Sequence, residues 1–298
     1  LSLFIAQSKG FLKPSTPIWL YFHENQLTYP FSELDRDKAL GYDNHYAFIN
    51  LTSALLADRL IFNSKFHRDS FLTAIPGFLD QFPQPKLTIP IGKLFDKSHV
   101  IYPGFDSSVI ARTRPVENKI PIILWNHRWE YDKDPETFFE VLSTLSAEGY
   151  QFNLAVLGQQ FSNSPTIFDK AHSQLKQHLV QWGFVKDRNE YYDWLTRADI
   201  VISTSNQDFF GISVVEAIAA GCYPLLPNRL AFPEHIPDHL HSTHLYNNKS
   251  ELYSKLRSGL HHWPRLQTNT KDLVRHVLQY TAPYQASSYG LLLDQIKM

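Results

Sequence analysis

The chain has 298 residues, with 28 lysines and arginines against 29 aspartates and glutamates, 14 histidines and a formal net charge of −1. That length holds two ordinary domains, and 43% hydrophobic against 19% charged residues excludes a disordered chain. The near-neutral balance excludes a global basic field, so a polyanion would have to meet a local patch. A single cysteine, Cys222, excludes intrachain disulfides and cysteine-cluster zinc sites and fits a reducing, cytoplasmic setting. No apolar run approaches the ~20 residues that span a bilayer, and Leu1-Ser-Leu-Phe-Ile-Ala6 lacks the basic start of a signal peptide.

In chain order, Ile18-Trp-Leu-Tyr-Phe22 predicts a buried strand after Pro17. Four polar side chains follow at once, His23, Glu24, Asn25 and Gln26. A lone histidine there is ordinarily structural, but the tetrad suits hydroxyl recognition and positioning at a reacting carbon. A metal on His23 and Glu24 has no second pair at ligand spacing to support it. Asp43 to Asp58 carries Ala47, Leu51, Ala54 and Leu55 at helical spacing. Arg59–Phe62 predicts a strand, and Asn63-Ser64 leads into a helix from Lys65 to Leu72. Ser64 either caps that helix or repeats the design of polar groups after a strand. Val100-Ile-Tyr102 predicts another strand, closed by Pro103-Gly104. Ser107 to Lys119, holding Arg112, Arg114, Pro115, Glu117 and Asn118, has no apolar periodicity and reads as an interdomain linker able to hinge. It divides a first, acceptor-side domain, 1–115, from a second, donor-binding domain, 116–298. The first domain offers about three or four strands and no leading strand with a glycine-rich turn, so it is expected to lack its N-terminal portion.

The second half alternates regularly. Strands are predicted at 121–125, 152–157, 179–184, 199–203 and 223–226. Helices are predicted from Asp134-Pro135 (an N-cap followed by a first-position proline), from Ser164-Pro165, over 187–197, over 213–220 and over 272–280. This rhythm means a parallel, doubly wound α/β sheet. Trp125, Trp129, Tyr131, Phe209, Phe210 and Cys222 read as core.

Two stretches carry chemistry. Trp125-Asn-His-Arg-Trp-Glu-Tyr-Asp-Lys133 puts two cations on the loop at the carboxyl end of a parallel strand, where such sheets bind ligands. Arg128 offers a planar fork for a diphosphate and Lys133 a point charge, although two solvated surface cations would look alike. Asp208-Phe-Phe-Gly-Ile-Ser-Val-Val-Glu216 places an acid, then a glycine at a helix start, then a second acid one to two turns inside. The glycine turn presents backbone N–H groups to a phosphate, and Glu216 can reach a ribose or sugar hydroxyl, so the pattern points to a nucleotide-sugar site. Gly-x-Ser-x-Gly, Gly-x-Gly-x-x-Gly and Walker patterns do not occur.

These residues resemble the retaining GT-B glycosyltransferases of family 4. The resemblance implies two Rossmann-like doubly wound domains facing across a cleft, and a chain tail at 286–298 that crosses back to the first. It gives Arg128 and Lys133 the donor diphosphate, Gly211, Ile212 and Ser213 the phosphate-facing amides, and Glu216 the ribose. It gives Asp208 the sugar, with aspartate where the family usually has glutamate, so the carboxylate reaches less far. Asn126, His127 and Phe184 join the donor-binding set, His23 lines the acceptor side with Glu24, Asn25, Gln26 and Ser64, and His23, Arg128, Lys133 and Asp208 form the catalytic group.

A narrower resemblance rests on Tyr21-Phe-His-Glu-Asn-Gln-Leu-Thr-Tyr-Pro30, Phe62-Asn-Ser-Lys-Phe66, His127-Arg-Trp-Glu-Tyr-Asp-Lys-Asp-Pro135 and Arg229-Leu-Ala-Phe-Pro-Glu234. Over about residues 17–247 the chain is similar to the tRNA-queuosine α-mannosyltransferase family. That implies GDP-mannose as donor, queuosine in a tRNA anticodon as acceptor, and no cofactor or metal. Lys65, His67, Arg68, Lys86, Lys93 and Lys97 give the first domain a modest basic density toward a tRNA, or are ordinary solvated cations. Other readings stay open: a family 4 enzyme with a sugar or lipid-linked acceptor, a sugar-nucleotide epimerase or phosphorylase of this architecture, or a non-catalytic nucleotide-sugar-binding module.

Overall fold

The structure, a computed structural model, describes all residues except 9–10, 12, 14, 30–43, 83–88, 111–117, 162–163, 264–269 and 296–298. Lys86, Arg112, Arg114, Pro115, Glu117 and the last residues of the expected tail therefore lie outside the described residues. The chain divides into two compact units, Leu1–Tyr102 and Pro103–Met298. The division comes ahead of 115 because the chain pairs with the second unit as soon as it leaves Gly104. Phe105 N–H donates to Tyr280 O at 3.0 Å and Phe105 O accepts from Ala282 N at 2.9 Å, a parallel bridge to Thr281, and Val109 is buried.

In the first unit, β1 (Trp19–Phe22), β2 (Arg59–Phe62) and β3 (Ser98–Val100) form a parallel sheet in sequence order. The third strand lies earlier than Val100–Tyr102, since its pairing with β2 starts at Ser98 opposite Leu60 and the chain turns away before Pro103. Around the sheet lie α1 (Ser2–Ser8), α2 (His45–Leu56), α3 (Lys65–Leu79) and α4 (Ile91–Asp96). α3 outruns its expected end at Leu72, because Phe71, Ile75 and Phe78 continue the apolar stripe into the core through Pro76. Phe22 and Phe62 stack at 4.9 Å between ring centres, with Phe71 against both.

The second unit holds a six-stranded, wholly parallel sheet, β4 (Ile122–Asn126), β5 (Asn153–Leu157), β6 (Leu179–Trp182), β7 (Ile200–Ile202), β8 (Tyr223–Pro227) and β9 (Leu245–Tyr246), in the order β6-β5-β4-β7-β8-β9. Every residue of β4, β7 and β8 is buried, as unbroken apolar runs require when helices cover both faces. The covering helices are α5 (Pro135–Ala147), α6 (Ile167–Gln174), α7 (Arg188–Arg197), α8 (Ile212–Ala219), α9 (Lys249–His261), α10 (Lys271–Val277) and α11 (Ala282–Asp294). The expected doubly wound parallel sheet is borne out, with shifted ends. α6 begins at Ile167 rather than at Ser164-Pro165, and β6 stops at Trp182 because Gly183 takes φ +104°. Trp125, Trp129, Phe138, Phe139 and Phe168 are buried together, with Trp129 stacked on Phe168 at 4.1 Å. Tyr131 is the exception among the expected core aromatics and stands half exposed. Asp199 locks the lower end of the sheet, its Oδ2 accepting from Ile122 N–H and from Asn118 Nδ2, each at 2.8 Å. Among the described residues, no helix is long and apolar enough to cross a membrane.

Candidate active site

From β4 the chain runs outward to β5 and β6, then crosses back to β7 and runs outward the other way. The carboxyl ends of β4 and β7 are therefore the switch point, where the diverging crossovers leave a crevice for a ligand. Two loops meet there, His127–Asp134 after β4 and Ser203–Gly211 after β7. The first loop also rests on the end of β5. A Cβ built at Gly158, which has φ +122°, would lie 1.7 Å from the His127 carbonyl oxygen, so only glycine fits. Beside it, Trp129 N–H donates to Gln159 O at 3.0 Å.

Lys133 ends the 3-10 turn Tyr131–Lys133, and Asp134 at φ 48° then caps α5 by accepting from Thr137 N–H at 3.1 Å. The turn sends the lysine side chain inward, where it is 9% exposed. A buried ammonium must find partners. Its Nζ donates to Gln207 O at 2.7 Å and stands 3.0 Å from Asp132 Oδ2 and 3.6 Å from Asp208 Oδ2. The two loops are joined further by Thr204 Oγ1 donating to Lys133 O at 2.7 Å and Asn206 N–H to Asp132 O at 2.7 Å. Arg229 holds the second loop from behind, its guanidinium donating to Thr204 O, Ser205 O and Asn206 Oδ1 at 2.9 to 3.1 Å. Arg128 differs from Lys133: its side chain is 55% exposed and pairs with Glu130 Oε2 at 3.1 Å.

Asp208 points one carboxylate oxygen at Lys133 and accepts with the other from Phe210 N–H at 3.2 Å, an Asx-type turn. A longer glutamate could not close that turn as simply. Gly211 follows at φ 81° and starts α8, and a Cβ there would meet the Phe232 ring at 3.0 Å and Asp208 Oδ2 at 3.7 Å. Lys133, Asp208 and the glycine turn are thus one cluster at the positive end of α8, an arrangement that attracts anions. Ile212 is half exposed on the first turn.

Asn126, the last residue of β4, donates through Nδ2 to Ser213 O at 2.8 Å and to the Tyr191 hydroxyl at 3.3 Å. Tyr191 in turn donates to Glu216 Oε2 at 3.2 Å. Burial pushes the Glu216 carboxyl up from its ordinary value, against the opposing pull of the Tyr191 and Tyr192 hydroxyls and the Arg188 guanidinium. His127 is buried, with the Ile202 backbone near its ring. Burial, with the Lys133 charge nearby, pushes its imidazole down from 6.5 to about 3, so the ring is neutral. Its Nε2 and Asn126 Oδ1 are buried polar atoms without a protein partner. Phe184, just past β6, is exposed.

The first-unit candidates follow β1 and β2. His23 and Glu24 are exposed, and Gln26 Nε2 donates to Glu24 Oε1 at 3.1 Å. Asn25 is fully buried and holds the turn, its Oδ1 accepting from Leu27 N–H, Thr28 N–H and Thr28 Oγ1. Ser64 is buried and caps α3 by accepting from His67 N–H at 2.9 Å. Of the expected basic density, Arg68 pairs with Asp69 at 2.7 Å and Lys97 Nζ donates to Leu55 O and Ala57 O.

Residues 109–269 match the family model described as glycosyl transferases group 1, over half of the chain. The chain belongs to this family. Residues 3–105 of this group 1 glycosyltransferase match a second family model, the N-terminal domain of tRNA-queuosine alpha-mannosyltransferase, in keeping with the narrower resemblance in the sequence. It is 34% identical over 246 residues to the tRNA-queuosine alpha-mannosyltransferase of Drosophila melanogaster, an alignment covering 80% of this chain and 63% of that relative. The chain thus spans less than two thirds of that relative's length.

Among solved structures, sucrose-phosphate synthase from Thermosynechococcus elongatus aligns with a TM-score of 0.69 at 15% identity, over 93% of this chain and 67% of that one. Anabaena Alr3699/HepE in complex with UDP aligns with a TM-score of 0.69 at 17% identity, over 98% of this chain and 74% of that one. The fold is that of the GT-B glycosyltransferases.

Asp132, Tyr191, Arg229 and Gly158 were given no role in the site from this glycosyltransferase's sequence. Asp132 stands in the Arg128–Lys133 string and Arg229 follows β8, so both carried a positional signal. Tyr191 sits mid-helix, where nothing in the local pattern marks it.

Proposed function

We propose that this chain is the nucleotide-sugar-binding and catalytic part of a retaining mannosyltransferase that moves mannose from GDP-mannose to queuosine in a tRNA anticodon, in the cytoplasm. One observation carries the donor half of the reading. Lys133 is buried with its ammonium 3.6 Å from the Asp208 carboxylate, and that carboxylate abuts the glycine that starts α8 at the switch point. The acceptor half is supported by the match of residues 3–105 to the N-terminal domain of tRNA-queuosine alpha-mannosyltransferases.

The chemistry follows from charge. When the anomeric C–O bond breaks, its electron pair goes to a β-phosphate oxygen, and fixed positive charge beside that oxygen lowers the barrier. Lys133, the amides of Gly211 to Ser213 and the α8 dipole supply it, with the exposed Arg128 closing over the outer phosphate oxygens. Glu216 accepts from the ribose hydroxyls, Asp208 and neutral His127 orient the sugar, and Phe184 stacks on the base. The acceptor hydroxyl attacks from the face the leaving group departs, and its proton passes to the departing phosphate, so no protein nucleophile is used. His23, with Glu24 and Gln26, is assigned the acceptor side on the resemblance, while the buried Asn25 and Ser64 hold the turn and the helix start behind them.

The test is incubation with GDP-mannose and tRNA that contains or lacks queuosine, followed by nucleoside mass analysis. The expected result is a hexose added only to queuosine, with turnover unchanged by a chelator. Transfer to neither tRNA, or transfer only from a uridine donor, overturns the reading.

A further inference from the structure

Glu216 is held by a chain of hydroxyl and amide groups that reaches across three elements. Its Oε2 accepts from the Tyr191 hydroxyl on α7 at 3.2 Å. That hydroxyl accepts from Asn126 Nδ2 at the end of β4, at 3.3 Å, and the same nitrogen donates to Ser213 O in the first turn of α8 at 2.8 Å. The neighbouring Tyr192 hydroxyl also favours the Glu216 carboxylate, and it is itself held by Arg188 Nε and Nη2 at 2.8 and 2.6 Å. Two consecutive tyrosines on one helix thus converge on one acid of the next helix. The Tyr191 proton is spent on Oε2, which leaves the carboxylate's remaining lone pairs to accept from a ligand.

We propose that Tyr191 is a positioning residue for nucleotide recognition: it fixes the Glu216 carboxylate in the rotamer that accepts from vicinal ribose hydroxyls, and so sets the preference for a ribonucleotide over one lacking those hydroxyls. This rests on the ribose role given to Glu216 above. A carboxylate free to rotate about its side chain would meet the diol in many geometries and bind it weakly. Tied at Oε2 it meets the diol in one, and the ordering is done before the nucleotide arrives. Tyr191 has no proton left to donate to the diol, since its only one goes to Glu216, so it acts through Glu216.

The same contacts predict a pH signature. The charged and titratable groups around Glu216 are Tyr191, Tyr192 and Arg188 from α7, and Asp106 from the segment that enters the second unit. Burial and Asp106 favour the protonated acid, while the two hydroxyls and Arg188 favour the carboxylate. Acceptance from two hydroxyls needs the carboxylate, so affinity for a ribonucleotide falls as pH drops through the Glu216 titration. Removing the Tyr191 hydroxyl takes away one group that favours the carboxylate and moves that fall to higher pH.

The experiment is calorimetric titration of the wild-type chain and of Tyr191→Phe with GDP and with 2′,3′-dideoxy-GDP, between pH 5 and 8. Wild type is expected to prefer GDP. Tyr191→Phe is expected to bind GDP about tenfold more weakly, as for loss of a hydrogen bond to a charged group, with dideoxy-GDP affinity unchanged and the acid fall of GDP affinity shifted upward. An equal loss for both nucleotides would mean a merely structural tyrosine and overturn the inference, as would unchanged GDP affinity. A wild-type protein that binds both nucleotides equally would overturn the ribose role of Glu216 and the inference with it. Nucleotide binding in which wild type still distinguishes the two sugars but the variant does so equally well removes the inference and leaves the function standing.

Discussion

Lowering the pH should destabilise the second unit well before its carboxylates are protonated, because three of its histidines are buried in the neutral form. His127, His235 and His244 are at most 4% exposed, and burial pushes their imidazoles from 6.5 to about 3, 4 and 4. Two have one nitrogen committed to the backbone, His235 through Nε2 to Phe210 O at 2.5 Å and His244 through Nδ1 to Pro224 O at 2.9 Å. His127 Nε2 and the other nitrogen of His235 are buried with no partner, so an added proton would have nowhere to go. The unfolded chain binds protons that the folded chain refuses, so stability rises with pH through the window between the two values and is flat above it. At pH 5 each site costs roughly 2 kcal/mol relative to neutral pH, about 6 kcal/mol for the three, against a total stability of about 5–15 kcal/mol for a domain. Glu216, raised by burial, works in the opposite sense and is outnumbered. Five of the six tryptophans lie in the second unit, so urea unfolding followed by tryptophan fluorescence reads it directly. The midpoint should fall steeply from pH 7 to pH 5, and His244→Gln should remove about a third of the fall. A midpoint unchanged over that range would refute the buried, neutral state of these rings.

Gly158→Ala should be severely destabilising, since its methyl would occupy the His127 carbonyl. Positive φ alone costs ~1–3 kcal/mol, and thermal unfolding with nucleotide titration should show both stability and binding reduced. Asp199→Ala strands the Ile122 N–H at the base of β4 and should cost about 1–3 kcal/mol by urea titration, with nucleotide affinity unchanged at saturating folded protein. Lys133→Ala should lower turnover by ~10² or more, as for loss of an oxyanion donor; single-turnover transfer assays with turnover at the wild-type level would rule out its role.

Much of this arrangement is legible in the chain itself, because parallel strands buried on both faces leave unbroken apolar runs and their loops start with residues of narrow use. Asp134-Pro135 and Asp208 to Gly211 announced two helix starts, and the acids and cations lay beside them. What could not be read is side-chain direction. Arg128 and Lys133 look equivalent as letters, yet the 3-10 turn at Tyr131–Lys133 sends one into the protein and leaves the other in water. Ser64 and Asn25 look like ligand-binding polar residues, yet their acceptors hold a helix start and a turn. Tyr191 is invisible for the opposite reason: its partners Asn126 and Glu216 are remote in sequence, and only the packing of α7 beside α8 and the end of β4 brings its hydroxyl to them. Element ends drifted where a local backbone state decided them, as at Gly183 after β6.

The fork of Arg229 ends on three oxygens of residues 204 to 206, all of them on the loop itself. A loop braced this way has little motion left to lose, so an incoming molecule is tested against a rigid mould, and a misfit can be rejected by shape without any group reaching out to touch it.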